Sequence, residues 1–221
     1  MLINPINNIN NINNKGIPIA DFKVRGVDAS YKLYSINHKD KSFLARMYKS
    51  IDLKKLMPNL KDHDYIMWDA VIDTAIKRTN SADNISLLET CNDVPCGILN
   101  YKDINNRYNL NYVATFPVKA GEKVPFAGQI IFNEFFNRFL NSDKKNIELY
   151  AIKKSYFDPV SKYLGLGFRM MGGDNNYEKM VINKERAKQT LLKQKEFIGY
   201  TPIKTSENID LNEHINLNYI T

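Results

Sequence analysis

Residues 157–173 read FDPVSKYLGLGFRMMGG and combine the start of a helix, its end and a tyrosine in its last turn. Asp158 followed by proline is typical of a helix start, because the aspartate caps free amides and proline fits the first helical position. Gly165 or Gly167 can adopt the left-handed conformation that ends a helix. The stretch therefore predicts a short helix that carries Tyr163 in its last turn.

The patterns around this stretch predict a series of strands and helices. Apolar alternation bounded by turn residues predicts strands, and apolar spacing of three to four residues predicts helices. The predicted strands are residues 30–37, 85–90, 96–102, 109–116, 147–152 and 179–182, and the other predicted helices are residues 39–57, 64–78, 125–140 and 183–197. Turn dipeptides at Asn92-Asp93 and Asn105-Asn106 join three of these strands into an antiparallel meander. The order of elements is that of a mixed α/β protein.

The composition limits the classes of function and partner that we expect for this chain. A chain of 221 residues with 43% hydrophobic content builds one large domain with a real core. The formal charge of +7 favours anionic partners, but arginines and aromatics form no interleaved cluster, so no nucleic-acid partner is expected. No apolar run reaches the length of a membrane span, and no membrane partner is expected. Cys91 and Cys96 are too few for a disulfide framework or a zinc site, so a reducing cytoplasm and no metal are expected.

The two ends of the chain differ from its middle. Residues 1–20 repeat Ile and Asn, and they are interpreted as a low-complexity, disordered N-terminus that can be deleted. The alternative is that Ile3, Ile6, Ile9 and Ile12 dock on a partner subunit, which leaves a homodimer open. Residues 184–221 are expected to form a largely solvated helix and an irregular polar tail.

Tyr163, three further residues, and then Gly167-Phe168 form a spaced motif that ends the short helix. This motif, with the order of elements, resembles the GNAT superfamily of acyl-CoA-dependent N-acyltransferases over residues 28–183. The resemblance implies a mostly antiparallel central sheet flanked by helices. It also implies transfer of an acetyl group from acetyl-CoA to a primary amine by direct attack in a ternary complex. Tyr163 would be the general acid, because a phenol with a pKa of about 10 stays protonated and can protonate a departing thiolate.

The resemblance also implies where acetyl-CoA binds. The strand at residues 109–116 would splay away from the strand at residues 147–152, and the cosubstrate would bind between them. The loop at residues 117–128, PVKAGEKVPFAG, would hold the pyrophosphate, although Glu122 and Pro125 depart from the family pattern and Ala127 fits it. The expected cosubstrate contacts are Val113, Ala114, Thr115, Lys123, Phe126, Ala127, Gly128, Ser155 and Asp158.

The sequence offers a single candidate side chain as general base for the acceptor amine. Glu148 is the only acid on the strand at residues 147–152, and a solvated carboxylate is the alternative. A backbone carbonyl with ordered water could serve instead. Tyr65 and Trp68 are candidates for acceptor contacts, with core packing as the alternative for Trp68. The acceptor stays open among polyamines, antibiotics, peptide N-termini and lysine side chains. A catalytically inert GNAT-like binding or regulatory module is the alternative function.

Overall fold

A computed structural model describes residues 15–79, 81, 83–204 and 207–220. Its strands are β1 (Lys15–Val24), β2 (Ser30–Ile36), β3 (Asn84–Cys91), β4 (Val94–Ile104), β5 (Arg107–Thr115), β6 (Asn146–Ile152), β7 (Arg169–Gly173), β8 (Tyr177–Asn183), β9 (Ile198–Pro202) and β10 (Ile209–Asp210). Its helices are α1 (Lys41–Ser50), α2 (Leu53–Leu56), α3 (Asp62–Thr79), α4 (Ala127–Leu140), α5 (Pro159–Gly165), α6 (Lys184–Gln194) and α7 (Leu211–His214). These elements confirm the predicted mixed α/β class.

One twisted sheet organises the molecule. Within the described residues, its strand order is β10-β1-β2-β3-β4-β5-β6-β8-β7, and β9 also pairs with β1. The meander β3-β4-β5 is antiparallel, and β5 and β6 form a parallel pair. Asn92 and Asp93 both have positive φ, at 49° and 63°, which is the backbone of a tight hairpin turn. The sheet is thus mostly antiparallel, as predicted.

Helices cover both faces of the sheet and divide the core into two layers. On one face, α4 and α6 pack on the sheet, and α4 contributes a row of buried rings: Phe132, Phe135, Phe136 and Phe139. On the other face, α1 and α3 contribute a second cluster that includes Phe43, Met47 and Ile72. Burial of these aromatic and aliphatic side chains is the main driving force for folding.

The sheet extends beyond the region of predicted resemblance at both ends. Residues 1–14 of the predicted disordered N-terminus lie outside the described residues, but residues 15–20 belong to β1 and Ala20 is buried. The polar tail contributes β9 and β10, which both pair with β1. Residues 15–16 pair with residues 209–210, and residues 20–24 pair with residues 198–202, so backbone pairing between distant segments orders both ends, a contact that local sequence patterns do not reveal.

The helix predicted over residues 39–57 is broken into α1 and α2. Ile51 has an extended conformation, with φ −80° and ψ 100°. The side chain of Asp52 then accepts a hydrogen bond of 3.1 Å from the amide of Lys55 and caps α2. An aspartate favours a helix N-cap over a helix interior, and this preference explains the break.

Candidate active site

The strands β5 and β6 part from one another and open a cleft in the middle of the sheet. Their parallel pairing ends at Asn109 and Glu148, while β5 continues to Thr115 and β6 to Ile152. The register between β4 and β5 shifts so that Asn111 is left without a partner in β4. An extra residue of this kind bends a strand and increases its twist, so the bulge turns β5 away from β6.

The backbone of β5 offers unpaired groups to this cleft. The carbonyl of Thr115 accepts a 3.2 Å hydrogen bond from the indole Nε1 of Trp68, which shows that this carbonyl points away from β4. Backbone groups alternate in direction along a strand, so Val113 also directs its amide and carbonyl toward the cleft. Ala114 directs its backbone toward β4, and its side chain is buried against the α3 layer. Of the three predicted contacts on this strand, Val113 and Thr115 line the cleft, and Ala114 does not.

The N-terminus of α4 points its uncapped amides into the cleft. Phe126 has a left-handed backbone, with φ 60°, and supplies no side-chain cap. The helix consequently begins at Ala127 rather than at Pro125, where it was predicted to start. The carbonyl of Pro125 instead accepts a 2.8 Å hydrogen bond from the hydroxyl of Tyr31. Free amides and the positive end of the 14-residue helix dipole make this end of the cleft suited to an anion.

Two lysines add positive charge beside this helix end. Lys162 lines the cleft, and burial lowers the pKa of its ammonium group, with a further lowering from the nearby charge of Lys123. Lys123, a predicted cosubstrate contact, does not itself line the cleft. Glu122, which departs from the family pattern, forms an ion pair with Lys119 that offsets its negative charge.

The loop that enters α4 is held by residues near the C-terminus. The amide of Ala120 donates a 2.7 Å hydrogen bond to the carbonyl of Ile220, and the amide of Ile220 donates one of 3.1 Å to the carbonyl of Val118. The ring of Tyr219 packs near Phe116, with 6.5 Å between the ring centroids. The segment before α4 thus has a fixed backbone course.

Tyr163 forms part of the cleft wall near the end of α5. Its ring lies edge-on to Phe132 and Phe168, with centroid separations of 5.9 and 5.7 Å. Burial raises the pKa of its phenol well above the ordinary value. Within the described residues the hydroxyl makes no hydrogen bond, so a protonated phenol is held by its ring alone and its proton is free for a ligand.

Gly167 ends the helix that carries Tyr163. Its φ is +92°, and a Cβ at this position would lie 2.8 Å from the hydroxyl oxygen of Thr190. The predicted left-handed glycine is therefore confirmed at Gly167. Asp158 caps the other end of α5 by accepting a 3.3 Å hydrogen bond from the amide of Ser161. Asp158, a predicted cosubstrate contact, caps the helix and does not line the cleft.

The cleft has a volume of about 1200 Å³ and opens on both faces of the sheet. On the α4 face it reaches Tyr163 and the N-terminus of α4. On the other face it is bounded by a set of side chains that we call the α3-side wall: Met67, Val71, Thr74, Tyr112, Tyr150 and Tyr177. Trp68 also lines the cleft, and its ring stacks on that of Phe157 with 4.2 Å between the ring centroids.

Glu148 lies outside the cleft, in contrast to its predicted role as general base. It stands beside Asn109 at the last paired position of β5 and β6, where the opening has not begun. Its carboxylate pairs with Arg107 at 3.5 Å and with Lys179 at 3.2 Å. These two ion pairs fix the carboxylate at a position outside the cleft. Glu148 is therefore a structural residue of the sheet.

The structure brings seven of the eleven predicted site residues together around the cleft: Val113, Thr115, Phe126, Ala127, Gly128, Ser155 and Tyr163. It also adds residues of α6 that were assigned to a solvated helix. Arg186 donates a 2.8 Å hydrogen bond from Nε to the carbonyl of Gly167, and Thr190 donates one of 3.0 Å to the carbonyl of Leu166. The side chain of Lys193 also lines the cleft. The apolar positions Ala187 and Leu191, four residues apart, were the available signal that α6 has a packed face.

The described part of the chain contains neither a cluster suited to a metal ion nor a membrane-spanning helix. No group of three or more His, Cys, Asp or Glu side chains is placed to hold a metal ion there. No helix in residues 15–79, 81, 83–204 and 207–220 combines the length and apolar composition of a membrane-spanning helix.

Comparison with solved structures identifies the fold. The chain is similar to the PaiA N-acetyltransferase of Thermoplasma acidophilum in complex with coenzyme A (TM-score 0.51, 16% identity, covering 69% of this chain and 98% of that one). It is also similar to apo FdhC, a nucleotide-linked sugar GNAT (TM-score 0.51, 14% identity, 85% and 98% covered), and to an uncharacterised protein of Bacillus halodurans (TM-score 0.54, 9% identity, 83% and 98% covered). No family model and no curated protein matches the sequence. The chain has the GNAT acyltransferase fold.

Proposed function

We propose that this protein is an N-acetyltransferase that moves an acetyl group from acetyl-CoA to a primary amine by direct attack in a ternary complex. The observation that carries the proposal is the cleft between β5 and β6, which places Tyr163, the free backbone of Val113 and the uncapped N-terminus of α4 around one space. A similar structure was solved with coenzyme A, and this supports the choice of cosubstrate.

The residues of the cleft fit a CoA thioester in three ways. The N-terminus of α4, with Lys162 and Lys123 beside it, suits the pyrophosphate. The unpaired backbone of Val113 suits the amides of the pantetheine arm, which can add to the strand edge. Ser155 lines the cleft near the start of α5 and offers a hydroxyl along the same path.

The proposed reaction consists of attack on the thioester followed by loss of the thiolate. The neutral amine attacks the thioester carbonyl carbon, and the amide of Val113 is placed to stabilise the oxyanion that forms. The carbon–sulfur bond then breaks, the phenol of Tyr163 gives its proton to the departing thiolate, and the amine loses a proton to water. That solvent proton restores the phenol, so the products are an N-acetyl amide and free CoA. The raised pKa of Tyr163 keeps the phenol protonated at neutral pH.

Calorimetric titration with acetyl-CoA, followed by an assay of thiol release with a panel of amines, tests the proposal. A free acetyl-CoA concentration about one hundred times the dissociation constant should raise the free energy of unfolding by about 2.7 kcal/mol. Saturable binding together with amine-dependent thiol release is the expected result. Failure to bind millimolar acetyl-CoA would overturn the proposal and favour the inert-module alternative.

A further inference from the structure

The α3-side wall has a composition that bears on the acceptor. One turn-spaced row of α3 supplies Met67, Val71 and Thr74. Tyr112 of β5 packs against the same layer. Tyr150 alternates with Leu149 and Ala151, which are buried on the α4 face, so its ring points to the α3 face. Every member of this wall is uncharged, and half of them are aromatic.

The carboxylates of β6 and β8 nearest this wall have other partners. Glu148 pairs with Lys179 at 3.2 Å, and Glu178 pairs with Lys153 at 2.9 Å.

The carboxylates of α3 nearest this wall also have other partners. Asp69 of α3 accepts a 3.0 Å hydrogen bond from the hydroxyl of Tyr48. Asp73 forms an ion pair with Lys77 of the next turn. Among the described residues, the charged side chains that line the cleft are Lys162, Arg186 and Lys193, and all three are cations. An acceptor bound against the α3-side wall therefore meets no negative partner.

This electrostatic setting separates classes of amine. Each extra ammonium group taken from water against uncharged side chains loses hydration without gaining an ion pair. The amine that attacks must also be neutral, and the cleft lining holds no carboxylate among the described residues to remove its proton. At pH 7.5 about one third of an α-amino group with a pKa near 7.8 is neutral, against about one in a thousand for a lysine side chain.

We propose that the α3-side wall selects an acceptor with a single, weakly basic primary amino group on an aromatic or apolar body, as in an amino acid amide or a peptide N-terminus, over polyamines and lysine side chains. This inference rests on the proposed function. The exposed rings of Tyr150 and Tyr177 (61% and 45% exposed) are available to stack on the body of such an acceptor.

Four amines separate the two parts of the inference, with kcat/KM measured by thiol release. Phenylalaninamide has both the weakly basic amine and the ring, glycinamide lacks the ring, 2-phenylethylamine is strongly basic, and spermidine is a polycation. We expect phenylalaninamide to exceed each single-property analogue at least tenfold and spermidine at least a hundredfold. A fifth amine, Nα-acetyl-lysinamide, presents a lysine side chain. Faster turnover of this amine or of spermidine than of phenylalaninamide would overturn the inference.

A pair of variants tests whether the wall itself sets this preference. Tyr150→Glu adds a carboxylate to the α3-side wall at an exposed position, and Tyr156→Glu adds one at a tyrosine of similar exposure (60%) that does not line the cleft. Tyr150→Glu should shift the kcat/KM ratio of spermidine to phenylalaninamide at least tenfold toward spermidine, and Tyr156→Glu should leave it within twofold. Equal shifts in both variants, or none, would contradict the inference.

Direct titration with acetyl-CoA distinguishes a failure of the acceptor inference from a failure of the proposed function. If acetyl-CoA binds and only polycations are acetylated, the acceptor inference fails and the proposed function stands. If acetyl-CoA binds and none of the amines reacts, the acceptor inference also fails. If acetyl-CoA does not bind, both are overturned.

Discussion

The indole Nε1 of Trp68 lies 3.2 Å from the carbonyl oxygen of Thr115 and donates a hydrogen bond to it, which fixes the free end of β5 to helix α3. The same ring stacks on Phe157 on the far side of the cleft. Trp68 is partly buried against the α3 layer of the core, and it also lines the cleft. The indole therefore has a packing role and a bracing role, and its predicted contact with the acceptor stays a prediction.

Replacing Trp68 with phenylalanine separates these roles. Trp68→Phe keeps an aromatic surface for Phe157 but removes the donor to Thr115, so the free energy of unfolding should fall by about 1 kcal/mol. The affinity for acetyl-CoA should fall severalfold, since the edge of β5 loses its brace. Urea unfolding and calorimetry measure the two effects, and an unchanged affinity would show that β5 holds its course without this bond.

Tyr163→Phe tests the proton donor. Only a hydroxyl without a hydrogen-bond partner among the described residues is removed, so stability and acetyl-CoA affinity should change little, while kcat should fall by about 10²- to 10⁴-fold. The matched control is Tyr156→Phe, at a tyrosine outside the cleft wall, and it should keep full activity. An active Tyr163→Phe enzyme would make solvent the proton source.

Glu148→Gln tests the assignment of Glu148 to the sheet. The change breaks ion pairs with the partly exposed Arg107 and Lys179, so the loss of stability should be about 1 kcal/mol or less. The turnover rate should stay within about twofold of the wild type, because the carboxylate lies outside the cleft. A hundredfold decrease in kcat at unchanged stability would restore Glu148 as the base.

Lys162→Met tests the anion-binding end of the cleft. Lys162 lies beside the uncapped N-terminus of α4, so the affinity for acetyl-CoA should fall about tenfold, and the remaining affinity should depend less on salt. Lys188→Met, at an exposed lysine of α6 that does not line the cleft, is the control. Equal losses in the two variants would indicate a general effect of net charge rather than a contact.

A buried carboxyl on β3 predicts a dependence of stability on pH. Glu89 is fully buried, neither of its oxygens has a hydrogen-bond partner in the described part of the chain, and burial holds its pKa well above the ordinary value. The folded protein keeps this group protonated while the unfolded chain ionises it. The stability contribution is therefore full below the unfolded pKa of about 4.5 and is lost as pH rises toward the folded pKa, by about 1.4 kcal/mol per pH unit.

Glu89→Gln removes this titration. Unfolding curves at pH 5 and pH 8 should show a smaller loss of stability over that interval for the variant than for the wild type. Two parallel pH profiles would contradict the buried, protonated state of Glu89.

The parts of the fold that were predictable depend on residues close together in the sequence. The cap of Asp158 on Ser161, the hairpin at Asn92-Asp93 and the left-handed Gly167 each involve a few consecutive residues, and each is present. The motif that begins at Tyr163 also places its phenol in the cleft. These features follow from local backbone chemistry, which a sequence pattern records directly.

The parts that were missed depend on contacts between distant residues. Glu148 had the right residue type on the right strand, but the end of the β5–β6 pairing, which decides its place, is set by a bulge at Asn111. The strands β9 and β10 are ordered by pairing with β1 at the other end of the described chain. Arg186 reaches the cleft only because α6 packs on α4. No local pattern carries this information.

The backbone link between Ile220 and the loop that enters α4 has a practical consequence for handling the protein. Ile220 is 63% exposed, yet its backbone holds Val118 and Ala120 in place, so proteolytic removal of this residue would release the loop. A preparation with ragged carboxyl-terminal processing would then contain molecules that differ in affinity for the cosubstrate. Timed carboxypeptidase digestion with mass spectrometry would connect each truncated species to its own binding isotherm.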